Sequence, residues 1–216
     1  MKNKILIGFY NYTVIATYAA LVFGVFGIYS AINGNPFTAI VLLLLAGSLD
    51  MFDGRIAKTR KRTADEKHFG IQIDSLCDLI NFGVLPTVIG YSLGLKGFGF
   101  TVLFALYVLT AQIRLAYFNV DEFNRQNKTS EGRKYYTGLP VTSSALLFPF
   151  VYTFSAPFGN EISAISYGIM LFVCAVFFVL NIRIPKPQKK MICAFAVIGL
   201  AMLACLVYFK LSGTLS

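Results

Sequence analysis

Four aspartates, Asp50, Asp53, Asp74 and Asp78, fall at the edges of two long apolar runs, in the string Asp50-x2-Asp53-Gly54-x2-Ala57-Lys58-x11-Gly70-x3-Asp74-x3-Asp78. A carboxylate inside a transmembrane helix costs roughly 2.5–3.5 kcal/mol, so four together demand on the order of 10 kcal/mol of compensation from partners. On a helix, Asp50 and Asp53 lie one turn apart on a face that Gly54 and Ala57 continue, while Gly70, Asp74 and Asp78 form a stripe on the next helix. Packed antiparallel, two such faces converge four carboxylates on one small volume. The apolar runs offer no buried lysine or arginine at that depth to neutralise them. An all-oxygen donor set suits Mg²⁺ or Mn²⁺, and four carboxylates suffice for two ions. Gly54 and Ala57 remove side chains where something flat or phosphorylated must approach the backbone.

Two divalent ions near a bilayer face favour phosphoryl transfer, because they clamp a diphosphate, neutralise the leaving group and position an attacking oxygen. A hydroxyl nucleophile also needs a proton acceptor. Asp78, at the end of the stripe, is the carboxylate best placed to stay off the metals and act as that base. Arg114 reads either as snorkelling to the interface or as contacting a substrate carboxylate or phosphate. Asn119 and Asn181 read as residues at helix ends that cap backbone or touch substrate. His68, Asp65 and Glu66 read as solvated residues of a polar connection, and the four cysteines as small buried hydrophobes.

The elements that must position this chemistry are membrane helices. The chain has 216 residues, 56% of them hydrophobic and 13% charged, and its mean hydropathy is +0.67, the balance of an integral membrane protein. Seven runs are long enough, or nearly so, to cross a bilayer: 13–32, 37–57, 71–93, 98–119, 140–157, 163–182 and 191–209. Lys2 and Lys4 ahead of the first run suggest a signal peptide, but the run's length and the lack of a small-x-small site favour a retained span. Of the 19 lysines and arginines, all but Lys96 and Lys210 fall on one side of a seven-span topology. The positive-inside rule then places the N-terminus and the aspartates at the cytoplasmic face, and the expected location is the plasma membrane of a prokaryote. The net charge of +9 is distributed as short collars beside spans, which fits anionic headgroups and no nucleic-acid partner.

The spaced string resembles the signature of the CDP-alcohol phosphotransferases, membrane enzymes that move a phosphoryl-bearing group from a CDP-linked donor to an alcohol and release CMP. Within that family, Asp74-Ser75-Leu76-Cys77-Asp78, Phe82-Gly83-Val84-Leu85-Pro86, Arg114-Leu115-Ala116-Tyr117-Phe118-Asn119, Gly138-Leu139-Pro140 and Asn181-Ile182-Arg183-Ile184-Pro185 are similar to the branch that makes phosphatidylserine. Asn11-x-Thr13 resembles the segment that enters the first helix. The resemblance implies a six-helix all-α catalytic core over 1–190, often a homodimer, with a seventh helix over 191–216 as an accessory. It implies CDP-diacylglycerol and L-serine as substrates, and three of the aspartates on two metals with the last as base. Asn11, Thr13, Asp50, Asp53, Gly54, Ala57 and Lys58 would then contact CDP, and Arg114 and Asn119 the acceptor or a phosphate.

Three departures bear on this. Lys58 stands where the family usually has arginine, so the charge is kept and the bidentate fork is lost. The connection from Lys58 to Gly70 is longer than usual, which makes Arg60 a candidate substitute, and Tyr117 stands where the serine-using branch commonly has a second arginine. Two other functions fit parts of the pattern. Another transferase of the family would use glycerol 3-phosphate or an inositol compound. A divalent-cation transporter would put its carboxylates near the midplane of a repeat-built fold, whereas these cluster near one face of a chain without repeats.

Overall fold

The computed structural model describes residues 7–128, 135–185 and 189–213. Eight helices account for nearly all of it: α1 Tyr12–Ile32, α2 Pro36–Ile56, α3 Ala64–Asp78, α4 Leu85–Ser92, α5 Phe98–Lys128, α6 Ser144–Ser155, α7 Asn160–Val179 and α8 Lys189–Leu211. Helices α3 and α4 are one rod, joined by a π-helical turn over Leu79–Val84, so the described residues hold seven helical segments long and apolar enough to cross a bilayer. It is an all-α integral membrane protein. The expected collar residues Lys2, Lys4, Arg133, Lys134 and Lys186 lie outside the described residues.

Local chemistry explains where the rods begin. Asn11 caps α1, its side-chain oxygen accepting from Thr13 N at 3.0 Å. Thr63 opens α3 with a capping box: its hydroxyl accepts from Glu66 N at 3.2 Å, and Glu66 Oε2 accepts from Thr63 N at 2.9 Å. That box starts the third span at Ala64 instead of residue 71. The polar connection is thereby shortened, and Asp65, Glu66 and His68 sit on a helix and not in a solvated loop. Glu66 completes the capping box of Thr63, and the His68 ring lies 6.2 Å from that of Phe123. The fourth span likewise runs on past residue 119 to Lys128, so Asn119 is interior to α5 and not at its end.

The π-helical turn has a readable cause. Pro86 lacks the N–H that would bond the carbonyl of Phe82 four residues earlier. The chain answers by widening the turn, Leu85 N reaching Ile80 O, and by giving the Phe82 carbonyl to the hydroxyl of Tyr107 at 2.9 Å. That hydroxyl also pairs with Ser144 Oγ at 2.8 Å, so one fully buried tyrosine ties the third span to α5 and α6. Around it, Phe82, Leu85, Ile89, Phe148, Tyr167, Leu171 and Phe178 form the bundle core.

Small residues set the closest approaches. A methyl at Gly24 of α1 would collide with Asn81 Oδ1 of the π turn, and one at Gly47 of α2 would collide with Ala145 of α6. Gly90 packs against Leu171 and Phe104 inside the bundle, while Gly94 lies in the following turn at φ +104°. Helix α8 rests on α2 and α6, with Met202 and Leu206 buried. Cys77 and Cys174 are buried as expected, but Cys193 and Cys205 on α8 face outward, because that helix is covered on one side only. At the charged end of the bundle a short antiparallel ribbon pairs β1 Tyr135–Thr137 with β2 Arg183–Pro185, an element that the sequence pattern does not announce.

Candidate metal centre and donor site

The four aspartates meet. Helix α2 carries Asp50 and Asp53 in its last two turns, and α3 carries Asp74 and Asp78 in its second half, so the antiparallel pair presents them at one level. Carboxylate oxygens of Asp50, Asp74 and Asp78 lie within 4.8 Å of one another. Asp53 lies beside Asp74 and accepts from Thr17 Oγ1 of α1 at 3.1 Å. Asp78 is buried, and the other three are half-buried. Among the described residues no ion pair reaches any of the four.

The donor set fits a divalent cation. It is all oxygen, it is drawn from two rigid elements, and the buried Oδ1 of Asp74 has no hydrogen-bond partner. A buried carboxylate oxygen left without a donor, beside two further carboxylates, is the arrangement that an ion completes. Gly54 adds to the opening: a methyl built there meets nothing within 4 Å, so the backbone at this corner is free to be approached. Ala57 follows in a single 3-10 turn over Ala57–Thr59. The side chain of Lys58 lies outside the described residues.

The remaining candidates divide. Asn11 Nδ2 donates to Glu66 Oε1 at 3.2 Å while its Oδ1 takes both Thr13 N and the Thr13 hydroxyl, so Asn11 and Thr13 tie the entry of α1 to the start of α3. Tyr12 OH and Thr59 Oγ1, 3.0 Å apart, add a second tie. Asn119 Oδ1 accepts from Ser75 Oγ at 3.0 Å, which fixes α5 against the residue next to Asp74. Arg114 does not snorkel. It is 5% exposed, its Nε donates to Leu139 O at 3.3 Å, and its guanidinium lies 5.6 Å from the Phe118 ring. The carbonyl it holds belongs to a bend that only glycine allows: Gly138 has φ +73°, and a methyl there would lie 2.8 Å from Phe178 O. Gly138 N donates to Ile182 O at 2.8 Å, and Leu139 N to Phe177 O at 3.0 Å. Three separated segments, around Arg114, Gly138 and Asn181, are thus one knot at the end of α7.

Thr17 and Ser75 were not singled out from sequence. For Thr17 a signal exists, since Thr13 and Thr17 are one turn apart and share a face of the first span. For the Ser75–Asn119 pair, 44 residues apart, nothing local announces it.

Helical membrane proteins with a carboxylate cluster between two adjacent spans form a class of metal-dependent transferases and transporters, and the comparisons narrow it. The profile of the CDP-alcohol phosphatidyltransferase family matches residues 10–180, and the chain belongs to that family. Members of the family use divalent metals. The chain is similar to a CDP-diacylglycerol–serine O-phosphatidyltransferase of Saccharomyces cerevisiae, 33% identical over 63% of this chain and 53% of the relative. It is similar to an archaetidylserine synthase of Methanothermobacter thermautotrophicus, 32% identical over 76% of this chain and 64% of the relative. A CDP-diacylglycerol–serine O-phosphatidyltransferase of Helicobacter pylori is 31% identical over 80% of this chain and 71% of its own length. The chain thus spans about half to two thirds of the length of the yeast and archaeal relatives.

Proposed function

We propose that this protein transfers a phosphatidyl group from CDP-diacylglycerol to L-serine, giving phosphatidylserine and CMP. The observation that carries the acceptor is that relatives from a yeast, an archaeon and a bacterium share serine in their names, although the archaeal one specifies a different lipid. Glycerol 3-phosphate and inositol compounds are the rival acceptors. Membership of a transferase family leaves the cation-transporter reading without support.

In this reading the donor's diphosphate lies at the open corner made by Gly54 and Ala57, with Asn11, Thr13 and Lys58 among its neighbours. Two bound divalent cations, Mg²⁺ or Mn²⁺, supply neutralisation of the diphosphate and of the departing CMP. Asp50, Asp53 and Asp74 would hold them, and the Thr17 hydroxyl orients Asp53 by hydrogen bonding. Asp78 takes the proton from the serine hydroxyl, whose oxygen then attacks the lipid-side phosphorus. Its burial supports this role, because a carboxylate shielded from water keeps a proton path to the nucleophile and not to solvent. A second reading, favoured by the proximity of Asp78 to Asp50 and Asp74, makes Asp78 a further ligand. Arg114 and Asn119 serve the acceptor side, Asn119 through the segment that bears Ser75 and Asp74. The charge distribution supports an active site at the cytoplasmic face, the bacterial and archaeal relatives support a prokaryotic plasma membrane, and the family resemblance supports a homodimer. Residues 1–190 act as the catalytic unit, with 191–216 as an accessory.

The test is direct. Purified protein given labelled CDP-diacylglycerol, a divalent cation and, in parallel, serine, glycerol 3-phosphate or inositol should form labelled phosphatidylserine only with serine. A labelled lipid product from one of the other acceptors, with none from serine, overturns the acceptor.

A further inference from the structure

The connection between α2 and α3 carries three consecutive basic residues, Arg60, Lys61 and Arg62, and its two guanidinium groups are engaged differently. Arg60 Nη2 lies 3.4 Å from Glu66 Oε1, and the same carboxylate accepts from Asn11 Nδ2 and Thr63 N. Arg60, the substitute suggested by sequence for the missing fork at Lys58, is therefore tied into the cap of α3. Arg62 makes no ion pair or side-chain hydrogen bond among the described residues. Its guanidinium folds back over Gly70, where an added methyl would lie 3.1 Å from Nη1. Gly70 begins the stripe that Asp74 and Asp78 continue, and one helical turn is about 5.4 Å. The Arg62 guanidinium thus lies over the residue one helical turn before Asp74, partly buried and paired with none of the described carboxylates. A planar fork about one helical turn from a carboxylate cluster, and not closed on it, is suited to an anion that reaches both.

We propose that Arg62 is a binding residue for the diphosphate of the nucleotide donor, supplying from the longer connection a planar, bidentate fork, which a lysine side chain lacks. Gly70 is its complement, since a side chain there would push the guanidinium away from the cluster. The inference rests on the donor reading given above.

The test measures initial rates of CMP release by the full chain in lipid nanodiscs, varying CDP-diacylglycerol and serine separately. Arg62→Ala should raise the donor KM by roughly 10- to 100-fold, the worth of a charge-assisted contact, and leave the serine KM unchanged. Arg62→Lys should recover part of the loss. Gly70→Ala should also raise the donor KM, and the double variant should be no worse than Arg62→Ala alone, because both remove one contact. A wild-type donor KM in Arg62→Ala overturns the proposal, and so does a fall in kcat with the donor KM unchanged. Should Arg62→Ala fail to yield monodisperse protein, Arg62→Gln is read by the same criteria. If the wild-type protein releases no CMP with serine, the functional reading fails. Calorimetry with CDP and Mg²⁺ then decides the inference separately: Arg62→Ala weakens CDP binding by the same factor, or the proposal falls.

Discussion

Substituting Asp74 by asparagine tests whether the carboxylates are held for a cation or by one of the protein's own. Oxygens of Asp50, Asp74 and Asp78 are within 4.8 Å of one another, so any two of them that are both ionised repel by about 3.5 kcal/mol at an effective dielectric near 20. That figure is an upper bound, since without an ion the side chains swing apart and water enters. A net relief on the order of 1 kcal/mol is expected from removing one charge. For a domain of this size, 1 kcal/mol shifts Tm by roughly 2–4 °C. In excess chelator, Asp74→Asn should therefore melt a few degrees above wild type. On addition of Mg²⁺ or Mn²⁺ the order should reverse, because the wild-type protein gains binding energy that the variant has lost. The assay is thermal unfolding of the detergent-solubilised protein, followed by intrinsic tyrosine fluorescence, with CMP release measured in parallel. A lower Tm for Asp74→Asn in chelator refutes the reasoning, since it means that the carboxyl was already satisfied within the chain, as by Asp53 beside it.

Asp78→Asn should cut kcat by roughly 10²–10⁴-fold with the donor KM nearly unchanged if Asp78 is the base; loss of metal and donor affinity to the same degree as in Asp53→Asn makes it a ligand instead. Tyr107→Phe leaves the Phe82 carbonyl, already deprived of a donor by Pro86, unsatisfied in the core, and should cost about 1–3 kcal/mol, read as a fall in Tm. Gly24→Ala drives a methyl into Asn81 Oδ1 and should lower Tm, while the double variant Gly24→Ala/Asn81→Ala should recover most of the loss; a Gly24→Ala protein as stable as wild type shows that α1 and the π turn are not in close contact.

The spans and the carboxylate cluster were legible because both rest on local pattern. Apolar runs of bilayer length read as helices without tertiary context, and i+3 and i+4 spacing fixes which side chains share a face. The ends of the spans were less legible. The third began earlier than its apolar run because Thr63-x2-Glu66, a capping-box spacing present in the sequence, is polar and carries no hydropathy signal. The fourth ran on to Lys128 because Glu122 and Arg125, paired at 2.6 Å, support helix beyond the membrane edge. What could not be read were the ties between distant segments. Arg114 on the carbonyl of Leu139, Ser75 on Asn119 and the ribbon of Tyr135–Thr137 with Arg183–Pro185 follow from packing, and spacing holds no trace of them.

These ties explain how a cluster that repels itself can be kept in register. The aspartates lie on α2 and α3, whose connection is polar and rich in positive charge, so the pair alone would splay when no ion is present. Each helix is instead held from outside the pair. Asn11 and Tyr12 at the start of α1 grip Glu66 and Thr59 on either side of the connection, and Thr17 reaches Asp53 itself. Asn119 of α5 holds Ser75 beside Asp74, and Tyr107 holds the π turn that begins one residue after Asp78. None of these contacts places a positive charge among the carboxylates. The restraint is made by neutral hydroxyl and amide groups, which keep the geometry while leaving the charge to be compensated from solution. On the proposed function, a site built this way is rigid before the ion arrives and still dependent on it, which would suit a donor whose diphosphate reaches the same cations.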